Sequence, residues 1–428
     1  MKVLMFGWEF PPHISGGLGT ACYGLTRGLS ELDDVEVTFV VPKAFGDEDQ
    51  SRMKLIGANQ VPVTKTQIQF EESEKPMDYF EVDSLIVPYM NEEEFWKVKS
   101  KKLPRKTRFV ETDEGNRIEF SGTYGSNLIQ EIKNYALVAG IIAEQNNFDL
   151  IHAHDWLAYP AGIAAKNISG KPLVVHVHAT DFDRSGGSVN PTVYAIERDG
   201  MEQADQVITV SNLTRDTVIN KYHIDPQKVV TVHNAVEPMS AEGSEIPKKG
   251  INEKIVTFLG RITLQKGPEY FIEAAKMVLQ KMNNVRFVMA GSGDLQEQMI
   301  ARVARLGIAD RFHFTGFLKA NDISYLFHMT DVFVMPSVSE PFGIVPLEAM
   351  QFNVPVIISN QSGVSEVLEH AIKIDFWDTH AMADSIYGIL NYPSLSEHFK
   401  QEGKTEVDGL RWINSAKNVR KVYESVLT

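Results

Sequence analysis

Short apolar runs alternate with amphipathic helical segments in two successive series separated by a turn-rich stretch, a pattern that predicts an α/β chain of two doubly wound parallel-sheet domains. In the first series Val3–Phe6 and Val35–Val41 have strand length and a branched apolar composition. Between them Leu18, Ala21, Cys22, Leu25 and Leu29 recur at helical spacing, which makes a βαβ unit. Asp149–Ala153, Leu173–His178, Gln206–Val210 and Val229–Val232 continue the strands, and Ser126–Gln145 is helical. Pro238 to Gly250 is rich in turn formers and has no apolar period, so the boundary falls there. The second series runs through Ile255–Leu259, Val285–Ala290, Phe312–Thr315, Val332–Met335 and Val354–Ile358. Its first helix, Pro268–Met282, lines up Phe271, Ile272, Ala275, Val278, Leu279 and Met282 on one face. The expected domains are 1–240 and 250–410, followed by a terminal amphipathic helix within 411–428. Residues 44–125 break the rhythm and read as an insertion. Its charged stretch from Asn91 to Lys106 reads as solvated surface, because adjoining acidic and basic blocks largely offset each other.

Composition narrows the function. The chain has 428 residues, 43% of them hydrophobic, enough for two buried cores. Its 42 basic and 56 acidic side chains leave a net charge of −14, which argues against a nucleic-acid or anionic-membrane surface and requires a local basic site for any anionic ligand. The sole cysteine, Cys22, excludes an intrachain disulfide framework, and its place in an apolar helical pattern reads as packing. The amino-terminal residues lack the apolar core of a signal peptide, and no run reaches the ~20 apolar residues of a membrane span, so the expected compartment is cytoplasmic.

Open parallel sheets bind ligands beyond the carboxyl ends of their strands, so residues at those ends are the candidates. After the first strand, Pro11 to Gly19 is a glycine-rich loop opening a helix, where Gly16 and Gly17 permit close backbone approach and the helix amino end offers N–H groups to phosphate. A dinucleotide fingerprint fails at its third glycine, and Val41-Pro42-Lys43 ends the second strand where a ribose-binding acid would stand. In the second series Arg261 and Lys266 flank a helix that starts at Pro268, an arrangement able to stabilise a departing diphosphate. Two carboxylates eight apart, Glu340 and Glu348, bracket a loop-to-helix junction after Val332–Met335, with Pro346 suited to the first helical turn. Taken alone, an acidic loop and a first-turn glutamate need no function beyond favouring the helix dipole. His152 and His154, and His176 and His178, sit at strand ends as two His-x-His pairs. Alternate strand residues share a face, but no closed tetrahedral set is evident and no metal is assigned.

In this order the glycine loop, strand-end histidine, Arg-x4-Lys and Glu-x7-Glu resemble the retaining glycosyltransferases of the GT-B fold, families 4 and 5, and among them bacterial glycogen and starch synthases. Trp8-Glu9-Phe10 through Gly19 and His152-Ala153-His154-Asp155-Trp156 resemble synthase segments, although Ile14 stands where those enzymes carry a lysine. The resemblance implies two Rossmann-like domains facing across a cleft, the terminal helix crossing back to the first. It implies that Arg261 and Lys266 bind the pyrophosphate, that Glu340 contacts the transferred sugar, and that Glu348 holds the ribose hydroxyls. His178 would touch the sugar C6 hydroxyl, with His176 as the alternative, and Asp155 would contact the acceptor. Gly16, Gly17, Gly316, Phe317, Phe342 and Gly343 would line the donor, the segment at Gly316 and Phe317 reading the base. The implied reaction moves glucose from ADP-glucose or UDP-glucose to the non-reducing end of an α-1,4-glucan, with no cofactor and no metal. Other acceptors, such as sucrose, trehalose or a cell-surface glycan, remain open, as do a nucleotide-sugar epimerase and a silent glucan-binding protein.

Overall fold

The computed structural model describes residues 1–13, 16–63, 109–112, 115–125, 127–238 and 249–428. Ile14, Ser126, the charged stretch from Asn91 to Lys106 and most of the boundary segment lie outside them. The chain divides into two units.

The first unit comprises Met1–Phe182, Gly187–Asn234 and Trp412–Thr428. Its elements run β1 (Lys2–Phe6), α1 (Gly17–Ser30), β2 (Glu36–Val41), β3 (Lys54–Gly57), β4 (Phe109–Thr112), β5 (Gly115–Ile118), α2 (Leu128–Gln145), β6 (Leu150–His154), α3 (Tyr159–Ser169) and β7 (Leu173–Val177). Then come a short helix α4 (Asp181–Ser185), whose residues from Asp183 on fall to the second unit, α5 (Pro191–Gln203), β8 (Gln206–Thr209), α6 (Asn212–Tyr222) and β9 (Val229–Thr231). Seven parallel strands form a sheet in the order β3-β2-β1-β6-β7-β8-β9. The winding reverses between β1 and β6, which opens the ligand crevice at their carboxyl ends. The helices begin where local chemistry caps them. The Asn190 side chain accepts N–H bonds from Thr192 and Val193 ahead of Pro191, and Ser211 Oγ accepts from Thr214 at 3.0 Å. Residues Lys54–Gly57, expected within an insertion, are instead the edge strand of the main sheet. An edge needs only a short strand with one partner, so the apolar signal is weak.

The second unit comprises Asp183–Gly186 and Ala235–Arg411. It runs β10 (Lys254–Leu259), α7 (Pro268–Leu279), β11 (Val285–Ala290), α8 (Gln296–Arg305), β12 (Phe312–Gly316), α9 (Ala320–Met329), β13 (Val332–Met335), α10 (Val345–Gln351), β14 (Val356–Ser359), β15 (Ile372–Ile374), α11 (Thr379–Asn391) and α12 (Pro393–Gly409). Six parallel strands lie in the order β12-β11-β10-β13-β14-β15, so the switch point falls between β10 and β13. Phe271, Ile272, Ala275 and Val278 of α7 are buried as their spacing predicts, in one core with Val256, Phe258 and Phe287.

The last helix, α13 (Trp412–Leu427), belongs to the first unit and packs along α1. The crossing is close: a Cβ on Gly24 would stand 2.2 Å from the Trp412 indole, and one on Gly28 would stand 2.6 Å from the Trp412 carbonyl oxygen. Two glycines one turn apart thus make a slot for the tryptophan. Among the described residues no helix is long and apolar enough to cross a membrane.

Candidate functional site

In the first unit the candidates gather beyond β1, β6 and β7. Gly16 precedes α1 without a side-chain cap, and a Cβ on Gly16 or Gly17 would meet nothing within 4 Å. The fold itself therefore does not demand glycine at either position. Glu9, which is buried, accepts the Gly19 N–H at 3.2 Å and so places a carboxylate in the first turn of the helix.

His178 lies one residue past β7, and the turn carrying it is held by Asp155. Asp155 has a left-handed backbone (φ 59°), is buried, and donates its N–H to the His176 carbonyl at 2.9 Å. Its Oδ1 accepts the N–H groups of His178 at 2.8 Å and Ala179 at 3.3 Å. These bonds give Asp155 a positioning role toward His178. His178 Nε2 meets His154 Nδ1 at 2.9 Å, and desolvation lowers the His178 pKa to about 3, so its ring is neutral at physiological pH. His176 is buried, whereas His178 keeps partial exposure.

In the second unit, glycines bring three strand ends together. Gly260, Gly291 and Gly316 follow or end β10, β11 and β12. Gly291 donates its N–H to the Gly316 carbonyl at 2.9 Å, and with φ 126° its absent Cβ would stand 1.9 Å from the Gly260 oxygen. Phe317, next in the chain, is 68% exposed. From Gly260 the chain passes the half-buried Arg261, whose Nη2 donates to Gln265 Oε1 at 3.3 Å, into a single helical turn ending at Lys266. Gly267 then adopts φ 63°, and a Cβ there would stand 2.1 Å from the Pro336 carbonyl oxygen just beyond β13. This approach delivers Lys266 to Glu340, with which it forms a partly buried ion pair.

Glu340 is 7% exposed and also accepts from Ser337 Oγ at 3.2 Å, while its backbone is clamped by Gln361 and Gly363. Phe342 is buried behind it, and Gly343 (φ 101°) turns the chain into α10. Glu348 falls in the first turn of α10, as Pro346 predicted. Withdrawal from water raises its pKa from 4.5 to about 7, although the residue keeps an exposed edge.

Arg261, Lys266, Glu340 and Glu348 are thus ranged beyond one sheet's switch point. His178 and Asp155 are ranged beyond the other's. Sequence reasoning missed Ser337, the serine two residues past a strand that bonds the first glutamate, and it did not foresee that Lys266 and Glu340 pair. It also missed Gly267, whose signal was present in Lys-Gly-Pro ahead of a helix.

Two doubly wound parallel sheets joined in this way are the GT-B fold. Residues 242–406 match the model of glycosyl transferases group 1, and residues 111–239 match that of glycosyltransferase family 4. The chain belongs to these glycosyltransferases of the GT-B type. An uncharacterized glycosyltransferase of Methanocaldococcus jannaschii is 27% identical over 99% of this chain and 98% of its own length. The glycogen synthase of Mycobacterium tuberculosis is 24% identical over 99% of this chain and 94% of its own. Among solved structures, sucrose-phosphate synthase from Thermosynechococcus elongatus superposes with a TM-score of 0.70 at 17% identity, covering 99% and 98% of the two chains.

Proposed function

We propose that the protein is a retaining glucosyltransferase that moves glucose from ADP-glucose or UDP-glucose to the non-reducing end of an α-1,4-glucan. The observation that carries the donor half is the grouping of Arg261, Lys266, Glu340 and Glu348 at one switch point, with two cations on a chain whose net charge is −14. Arg261 and Lys266 face the charge that develops on the leaving diphosphate, which preorganised donors in a dry site stabilise far better than water does. The diphosphate then accepts the acceptor's proton on the same face of the sugar, so configuration is kept without a carboxylate nucleophile. Glu340 orients the sugar and supports its positive charge, and Glu348 accepts from the ribose hydroxyls. His178, neutral and held by Asp155, serves the sugar as a hydrogen-bonding group rather than as a cation. Gly16 and Gly17 leave room for the donor, and Gly316 with Phe317 flanks its base. The positive charge comes from side chains, so the reading needs no metal cofactor. The 24% identity to a glycogen synthase over nearly the whole chain supports the glucan acceptor.

The test is a screen of nucleotide-sugars for nucleoside diphosphate release, with and without glycogen. Release from ADP-glucose or UDP-glucose that depends on glycogen, with α-1,4 chain growth, is the expected result. Rapid release on another acceptor with no α-glucan elongation would sink the synthase reading and leave the donor-site chemistry standing.

A further inference from the structure

One face of the first sheet carries histidines on neighbouring strands: His152 and His154 on β6, His176 on β7 and His178 just after it. His154 pairs in register with His176. The rings of His152 and His176 lie parallel within 8° with centroids 5.4 Å apart. One ring nitrogen each of His152, His154 and His176 also lie within 4.8 Å of one another, but all three of these residues are buried. His154 and His178 are tilted 35° to each other, and their Nδ1 and Nε2 atoms already meet at 2.9 Å. A third donor comes from α1. Cys22 Sγ and one ring nitrogen each of His154 and His178 all lie within 4.8 Å of one another. Cys22 and His154 are buried, and the second nitrogens, His154 Nε2 and His178 Nδ1, have no hydrogen-bond partner among the described residues. The nitrogens a metal would take are instead the inner pair, His154 Nδ1 and His178 Nε2, which now share one proton across 2.9 Å. Partial exposure of His178 provides the way in.

We propose that Cys22, His154 and His178 form a three-ligand site for a divalent transition metal of the zinc class, and that filling it inhibits glycosyl transfer by drawing the His178 ring into coordination. The inhibitory half rests on the sugar-binding role proposed for His178; the binding half does not. Zinc–nitrogen bonds of about 2.0 Å and a zinc–sulfur bond of about 2.3 Å at tetrahedral angles set the nitrogens about 3.3 Å apart and the sulfur about 3.6 Å from each. The nitrogens therefore part by about 0.4 Å and the sulfur closes by at most about 1.2 Å, shifts within reach of side-chain rotation. One metal–sulfur and two metal–nitrogen bonds form. The thiol proton leaves to solvent, and the proton shared by the two rings moves to the other nitrogen of its own ring. Burial alone keeps the thiol protonated, so the ion's own charge has to displace that proton. The fourth position stays open, as it does where zinc has three protein ligands.

Metal-free protein, prepared with EDTA and a non-chelating reductant, is titrated with cobalt(II) chloride while thiolate-to-cobalt charge-transfer absorption is followed. The band should rise to one ion per chain, vanish in Cys22→Ala and Cys22→Ser, and weaken in His178→Gln, which leaves the helix packing untouched. Diphosphate release should fall on adding zinc(II) chloride and return with EDTA. Cys22→Ala should keep the metal-free activity and require about 100-fold more zinc for the same inhibition, since even outer-shell partners are worth 10- to 100-fold in affinity. Absence of the band in the wild type overturns the site. Equal zinc sensitivity of Cys22→Ala and wild type overturns the cysteine as a ligand. A full band with undiminished transfer overturns the inhibition and faults the role of His178, not the ligand set.

Discussion

Replacing Glu348 by Gln should make donor binding nearly independent of pH between 6 and 8, where the native enzyme should lose most of its affinity toward the acid end. The first turn of α10 holds the Glu348 carboxyl away from water, which raises its pKa to about 7. An ionised carboxylate accepts from both ribose hydroxyls, whereas the protonated acid has less acceptor capacity. With a midpoint near 7 the ionised fraction is about one-tenth at pH 6 and about nine-tenths at pH 8, so donor affinity should rise roughly tenfold across that window. Calorimetric titration with the intact nucleotide-sugar is the right assay. Its diphosphate diester carries no group titrating here, whereas a free terminal phosphate ionises near pH ~6. His178, lowered to about 3, stays neutral throughout. Folding should respond with the opposite sign. The folded value lies above the unfolded value of 4.5, so the native state holds a proton that the unfolded chain releases, and stability declines as pH rises from 4.5 until it levels off above about 7. Glu348→Gln should therefore be the more stable protein at pH 8, by at most about 3 kcal/mol and by less where water reaches the exposed edge, with the gain gone at pH 4. A glutamine variant that keeps the native pH profile of binding would refute the ribose role. One that is no more stable at pH 8 would refute the desolvation argument.

Lys266→Ala should differ from Arg261→Ala. Both should lower turnover by about a hundredfold, the usual effect of losing one preorganised contact to developing charge. The lysine variant also strands the buried Glu340 carboxylate, so it should lose about 3 kcal/mol in a urea melt, and adding Glu340→Gln should restore the stability but not the turnover. Gly291→Ala should unfold at clearly lower urea and bind no donor, because its Cβ would stand 1.9 Å from the Gly260 oxygen at φ 126°; native-like stability would refute the close approach of β10 and β11. The buried His152, His154 and His176 and the partly exposed His178 all have pKa values lowered by desolvation. The unfolded chain binds protons from about pH 6.5 downward while the folded one does not, so in EDTA the urea midpoint should fall steeply below that pH, less so in His176→Gln.

What the sequence discloses here is whatever depends on near neighbours along the chain. Strand ends are legible because apolar runs stop at Gly260, Gly291 and Gly316, and the helix after Gly343 is legible because Pro346 can only sit near its start. Hence Arg261, Lys266 and Glu340 could be placed beyond strand ends, and Glu348 in the helix that follows, from residue order alone. Lys54–Gly57 escaped because four residues with a lysine at their head carry too little period to mark an edge strand. Pairings are another matter. Lys266 and Glu340 are 74 residues apart, and they meet only because a left-handed Gly267 lets the backbone press against the Pro336 carbonyl. Cys22 reads as packing on its own helix, and the two His-x-His strings read as two pairs. Only the parallel register that sets His154 opposite His176, with α1 laid over that face, joins Cys22 to His154 and His178. A periodicity argument finds the face on which a side chain lies, since period is local. Which chemistry that face performs depends on register, which sets His154 opposite His176, and on how closely backbones approach, which Gly267 and Gly291 permit here.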